Sequence, residues 1–186
     1  MIIGMLRVKN EARWIERCIG SLLPICDKVL VMDDHSDDDT LFRCQSMPKV
    51  DAFESPFSGL NESRDKNHLL ERVERFNPEW IIAIDGDEML SPSAQAGMPA
   101  ELSGPATCLS LRIWYLWDGD NQVRTDGVYG DFHRASIFRP NGSRFESNGN
   151  GANFHCGNVP SAIRANRKVT ELDILHMGYM ERADRE

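Results

Sequence analysis

The stretch Trp80 to Leu90, WIIAIDGDEML, runs through five apolar residues and then breaks into Asp85, Asp87 and Glu88. A continuous apolar run of this length, preceded by Asn77-Pro78, reads as a strand buried on both faces. The same ending occurs upstream in KVLVMDDHSDDDT, Lys28 to Thr40, where Val29 to Met32 stops at Asp33 and Asp34. An unpaired carboxylate inside such a strand would cost roughly several kcal/mol, whereas one just past its end can be solvated, hydrogen-bonded or bound to a cation. In open α/β sheets ligands bind beyond the carboxyl ends of the parallel strands. Two acid-tipped strands therefore point to one shared polar crevice.

Working outward, strand and helix alternate through the first ninety residues. Ile2 to Leu6 is a short apolar run leading to Arg7. Asn10 is then expected to cap a helix bearing Trp14, Ile15, Cys18, Ile19, Leu22 and Leu23 on one face, with Pro24 ending it. A weaker helix begins at Thr40, and Val50 to Glu54 reads as another strand. A further helix starts near Asn61, with Leu69, Leu70, Val73 and Phe76 at helical spacing. This alternation predicts a mostly parallel sheet covered on both faces. Beyond Leu90 the texture changes. SPSAQAGMPAELSGP reads as loop with at most one helical turn. Leu109 to Trp117, Phe132 to Phe138 and Val169 to Leu175 read as strands, the last running into His176, and Asn141 to Asn158 as an irregular ordered loop.

Bulk properties narrow the function. With 186 residues, 41% hydrophobic and 27% charged, the chain is one globular domain, 1–186. A formal net charge of -8 argues against a nucleic-acid surface. It would also repel an anionic ligand unless a metal or local arginines intervened. No window reaches the roughly 20 apolar residues of a membrane span, and the N-terminal apolar stretch is too short for a signal peptide. The five cysteines form no CxxC pair and no zinc spacing, and read as reduced, buried thiols of a cytoplasmic protein.

Oxygen donors at the two tips suit Mg²⁺ or Mn²⁺, with phosphate oxygens of a ligand completing the shell. A metal would let an acidic protein hold a diphosphate. Gly86 is expected to let the chain turn so that Asp85 and Asp87 face one cleft. Asp-Gly is also a common tight-turn pair, and Asp118-Gly119-Asp120, which follows an alternating strand, reads as a hairpin turn. Asp85 to Asp87 differs in following a buried, non-alternating run.

Arg7-Val8-Lys9-Asn10-Glu11, DDHSDDDT, Asp85-Gly86-Asp87-Glu88 and Ile174-Leu175-His176-Met177-Gly178-Tyr179, in that order, resemble the successive signatures of family 2 glycosyltransferases with a GT-A fold. The resemblance implies an α/β, Rossmann-like sheet with antiparallel strands added in the second half. Residues 1–90 would hold the nucleotide and 91–186 the acceptor. It implies inverting transfer of a sugar from a nucleotide-diphospho-sugar to a glycan or lipid-linked acceptor, assisted by Mn²⁺ or Mg²⁺, with room for peripheral membrane association. Arg7, Asp34, Arg64 and Asp85 would contact the nucleotide, and Asp85, Asp87 and His176 the metal. Relatives often carry His-Glu near His155-Cys156. With Cys156 in that place, Asp131 is the candidate base, followed by Asp126 and Glu88. A metal-dependent hydrolase using the same crevice, or a nucleotide-sugar-binding protein without turnover, are the alternatives.

Overall fold

The computed structural model describes residues 1–147 and 156–185. Eight strands form one sheet in the order β3-β2-β1-β4-β7-β6-β8-β5. β1 (Ile2–Val8), β2 (Lys28–Asp33), β3 (Val50–Glu54) and β4 (Trp80–Ala83) are mutually parallel. β4 meets β7 (His133–Phe138) antiparallel, and β7 pairs antiparallel with β6 (Cys108–Tyr115). β6 then pairs in parallel with β8 (Lys168–His176), whose other edge takes β5 (Glu88–Leu90) antiparallel. The expected parallel half and the antiparallel additions are both present.

The sheet must curl. Only Ile84 to Asp87 separate β4 from β5 along the chain, yet four strand spacings separate them in the sheet. An extended linker of that length reaches at most about 17 Å, less than the ~19 Å that four flat spacings would need. Curling brings β5 back beside α1 (Ile15–Leu22), where the Leu90 amide donates to Ser21 Oγ at 3.0 Å.

Two apolar layers clothe the sheet. On one face Leu6, Val8, Val31, Ile82 and Ile113 pack with Ile15, Cys18, Ile19 and Leu22 of α1 and with Ala94, Met98 and Leu102 of α4 (Pro92–Leu102). On the other, Ile3, Met5, Leu30, Met32, Ile81 and Phe138 meet Leu69, Leu70 and Val73 of α3 (Glu62–Glu74). A short α2 (Thr40–Gln45) leads into β3, and a single turn, α5 (Ser161–Arg164), precedes β8.

Three local expectations are corrected. Asn10 does not cap α1: it lies in the left-handed region at φ 55, and its side chain accepts the Asp37 amide at 2.8 Å. The helix begins at Ile15 after a turn. Residues 92 to 102 are an eleven-residue helix rather than a loop. Ser91 caps it through the Ala94 amide, Pro92 sits where a proline loses no hydrogen bond, and Ala94, Met98 and Leu102 recur on its buried stripe. β6 is buried along both faces of its first half, not alternately.

The Asn61 cap on α3 was legible, its side chain accepting the Arg64 amide at 3.1 Å. The turn at Asp118-Gly119, with φ of 56 and 125, closes a Trp117 amide bond to the Gln122 carbonyl. Among the described residues no helix is long and apolar enough to cross a membrane, and all five cysteines are free thiols.

Candidate active site

The β2 tip is occupied by internal bonds. Asp33 accepts the Ser36 amide at 2.8 Å and its hydroxyl at 2.6 Å. Asp38 accepts the Thr40 amide at 3.0 Å and the Ala12 amide at 3.1 Å. Burial is the largest single influence and raises the Asp38 carboxyl, but these bonds and the Thr40 hydroxyl together outweigh it and hold the carboxyl below its ordinary value. Asp37, Asp38 and Asp39 are exposed, so their mutual repulsion is spent in water.

Asp34 turns inward to Arg7, at the end of β1, with Arg7 Nη2 2.6 Å from Asp34 Oδ2. Because β1 lies between β2 and β4, the acid tips belong to strands once removed, not to neighbours, and Arg7 fills the gap. Its Nε donates at 3.2 Å to Asp65, a fully buried acid on the first turn of α3. Arg64 donates to the same carboxylate at 2.8 Å and to the Gly59 carbonyl at 2.8 Å, with its guanidinium 4.4 Å above the Phe57 ring. Two cations on one buried acid offset a desolvation that a lone carboxylate would not survive.

From Arg7 the site continues to the β4 tip. Arg7, Lys66, Asp85 and Asn158 line one small cavity with Met5, Leu69 and Ala83. Asp34 and the second acid tip are thus joined through Arg7. Asn158 bridges Lys66, which donates to its Oδ1 at 3.1 Å, and Asp85, which accepts from its Nδ2 at 3.3 Å. Arg134 Nη1 reaches Asp85 Oδ2 at 2.9 Å, and its Nη2 pairs with Glu88. Burial alone would raise the Asp85 carboxyl, but Arg134, Lys66 and Asn158 outweigh it and hold it below the usual range.

Asp87 is differently placed. Its Oδ2 is 3.4 Å from His176 Nε2, at the end of β8. Burial raises its pKa despite the histidine, and Asp85 adds to the rise. Glu11 faces the same acids and is pushed up to about 8, by burial first and then by Asp87, Asp85 and Asp38. Glu88 is pushed up to about 7 by burial and Asp85, against the pull of Arg134. Its Oε1 is buried and, among the described residues, has no partner.

Two glycines make this crowding fit. A methyl at Gly86 would lie 2.6 Å from Glu11 Cγ, so glycine is there for close approach, not for the turn geometry expected of it. A methyl at Gly178 would overlap the Asp87 carboxylate and lie 2.9 Å from His176 Cε1.

The three candidate bases are not brought together. Asp126 is on the surface, clamped by Arg124 at 2.6 and 3.0 Å. Asp131 is 83% exposed, 3.4 Å from His133, and lines a separate cleft with Arg112 and Trp114. Glu88 is sealed from solvent, so no acceptor hydroxyl can reach it; it instead anchors Arg134 and the Asp85 amide, at 2.9 Å. His155 lies outside the described residues. Asp65, Lys66 and Asn158 were not singled out from sequence, nor were roles given to Glu11 and Arg134. Asp65 had a signal: it stands on the buried stripe with Leu69 and Val73, four and eight residues on, where an acid needs a partner.

As a solved structure, TarS of S. aureus superposes with a TM-score of 0.65 at 13% identity, covering 95% of this chain and 36% of that one. Its 1–349 fragment gives 0.61 at 14% identity, covering 95% and 60%. The fold is of the GT-A type. In sequence, the GT-A chain is 32% identical over 94 residues to an uncharacterized glycosyltransferase of Rickettsia bellii (strain RML369-C), a match taking in 50% of this chain. It spans about three tenths of that curated relative, as the match covers 30% of it. No family model matches.

Proposed function

We propose that this protein transfers a sugar from a nucleotide-diphosphate donor to a hydroxyl of a glycan or lipid-linked acceptor, with inversion at the anomeric carbon. The observation that carries the proposal is the imbalance at the β4 tip. Asp85, Asp87 and Glu11 crowd together beyond the strand, where a methyl at Gly86 would lie 2.6 Å from Glu11 Cγ and one at Gly178 would overlap the Asp87 carboxylate; His176 is 3.4 Å from Asp87, and burial raises the carboxyl pKa of both Asp87 and Glu11. Such a groove favours a bound cation, and a cation there favours a diphosphate.

The donor set fits Mn²⁺ or Mg²⁺ in a limited way. Among the described residues no group of three His, Cys, Asp or Glu side chains is arranged to hold a metal. Asp85 is taken up by Arg134 and Asn158. Asp87 and His176 would therefore hold the ion, and waters and phosphate oxygens would supply the rest, as hard cations accept. An ion held there would supply neutralisation of the charge that builds on a departing diphosphate.

The chain's own groups do the remainder. Arg7 and Asp34 form the nucleoside end, with Arg64 beside them on Asp65, and residues 1–90 act as the donor half. Arg134 fixes Asp85 and Lys66 fixes Asn158 at the groove wall. Residues 91–186 face the acceptor. In the transfer, the bond from the anomeric carbon to the diphosphate oxygen breaks as the acceptor oxygen bonds to that carbon from the opposite side, the hydroxyl proton passing to a carboxylate and the nucleoside diphosphate leaving with the bonding pair.

Calorimetry with UDP, GDP, CDP, ADP and dTDP, each with and without Mn²⁺, tests the reading on wild type and Asp87→Ala. One nucleotide should bind in a metal-dependent way that Asp87→Ala abolishes; equal affinities throughout would overturn it. Incubation with the matching nucleotide-sugar alone separates transfer from hydrolysis, since a hydrolase releases free sugar at full rate without acceptor.

A further inference from the structure

Beyond Asp87 and His176 lies a row of rings. His176 stacks on Tyr179 with centroids 5.1 Å apart and planes at 13°, and faces Tyr115 at 4.9 Å. Tyr115 continues to Tyr129 at 4.9 Å and Phe132 at 6.5 Å, and Tyr129 to Trp117 at 6.4 Å. Tyr115 packs against the main apolar core, while Tyr179 and Phe132 remain 37% and 39% exposed. Aromatic residues buried beneath and open above form a platform, not a core.

Strand order sets its place. β2, β1 and β4 carry Asp34, Arg7 and Asp85 on one side, and β6 and β8 deliver Tyr115 and His176 on the other. A diphosphate at Asp87 with its nucleoside toward Arg7 and Asp34 leaves the rings to what lies beyond it. The charges on the platform cancel: Arg124, above Trp117 and Tyr129, is paired with Asp126, and Arg185, above Trp117, with Asp118 at 2.5 Å. Among the described residues, the arginines that lie over these rings are already paired with acids and offer an anionic acceptor little. A neutral ring with apolar C–H faces and hydroxyls at its edge gains both ring stacking and hydrogen bonds to the ion pairs.

We infer that this platform is the acceptor subsite and takes an uncharged pyranose, so that the acceptor hydroxyl belongs to a saccharide. The inference rests on the proposed transfer reaction for its direction, and on the ring geometry for its ligand class.

Saturation-transfer NMR with a panel of methyl hexopyranosides and methyl N-acetylhexosaminides, beside glycerol 3-phosphate, tests it. At least one glycoside should receive saturation from the aromatic protons. Tyr129→Ala and Phe132→Ala should each weaken it by about fivefold, and Tyr129→Phe, which keeps the ring, should leave it unchanged. Binding of the nucleoside diphosphate should be the same in all three variants, which also reports that they fold. Three results would overturn the inference: no glycoside binds, glycerol 3-phosphate is preferred, or Tyr129→Ala weakens the nucleotide-sugar relative to the nucleotide alone, which would give the platform to the donor's sugar. Failure of every nucleoside diphosphate to bind wild type would instead defeat the donor reading, leaving the glycoside result to stand or fall by itself.

Discussion

The two acid tips look alike in sequence and behave in opposite ways. At the end of β2, Asp33, Asp34 and Asp38 are matched by backbone amides, hydroxyls and Arg7, Asp37 and Asp39 face solvent, and Asp38 is held below its ordinary pKa. At the end of β4, two of three acids, together with Glu11, sit above theirs, and one buried carboxyl oxygen lacks a partner among the described residues. Acid density therefore does not mark a ligand site. On the proposed function, what would mark it is acid left without enough compensating donors, an arrangement that gains free energy when a cation arrives.

Mutations can break this contrast. The largest effect is expected for Asp87→Ala, which should weaken metal-dependent nucleotide binding by about 100-fold or more, whereas Asp39→Ala at the other tip should leave calorimetric affinity unchanged. Next, Asp65→Ala strands Arg7 and Arg64 around a buried void. It should lower unfolding free energy by about 3 kcal/mol, read from the denaturant midpoint at unchanged slope.

A pH experiment sharpens the comparison. Glu11 has a folded pKa of about 8 against an ordinary 4.5, so its contribution is fully present below the lower value and is lost as pH rises through the higher one. Glu11→Gln should thus match wild type in thermal unfolding near pH 4.5 and exceed it at pH 9. The gain should be on the order of 1–2 kcal/mol after allowance for solvent screening, and a flat difference across pH would remove Glu11 from the crowded site. The smallest effect is expected at the satisfied tip: Asp38→Ala loses two amide contacts and should cost at most about 1 kcal/mol, independent of added Mn²⁺.

Much of the fold was legible because its signals are local. Apolar runs gave β1, β2 and β4, and the Asn61 cap with Leu69, Leu70 and Val73 gave α3. The helix at Pro92 was missed because glycine, serine and proline were read by composition, when Pro92 stands at a tolerated position and Ala94, Met98 and Leu102 keep helical period. The curl that returns β5 to α1 depends on pairings between distant segments, which no window contains. Of the site, the strand-tip acids were visible, since a change from apolar to acidic is one-dimensional information. The arginine that pins Asp85 comes from β7, 49 positions later, and Asp65 becomes a partner of Arg7 only once α3 lies against β1.

Gly178 carries one more consequence. Its φ lies outside the left-handed region, so the backbone there would tolerate alanine, yet the added methyl would sit against the Asp87 carboxylate and the His176 ring. A single carbon atom at that position would act as a plug in the socket, pushing Asp87 or His176 aside while leaving the backbone whole. Gly178→Ala should thus reproduce the loss of metal-dependent nucleotide binding expected of Asp87→Ala while keeping both side chains in the sequence.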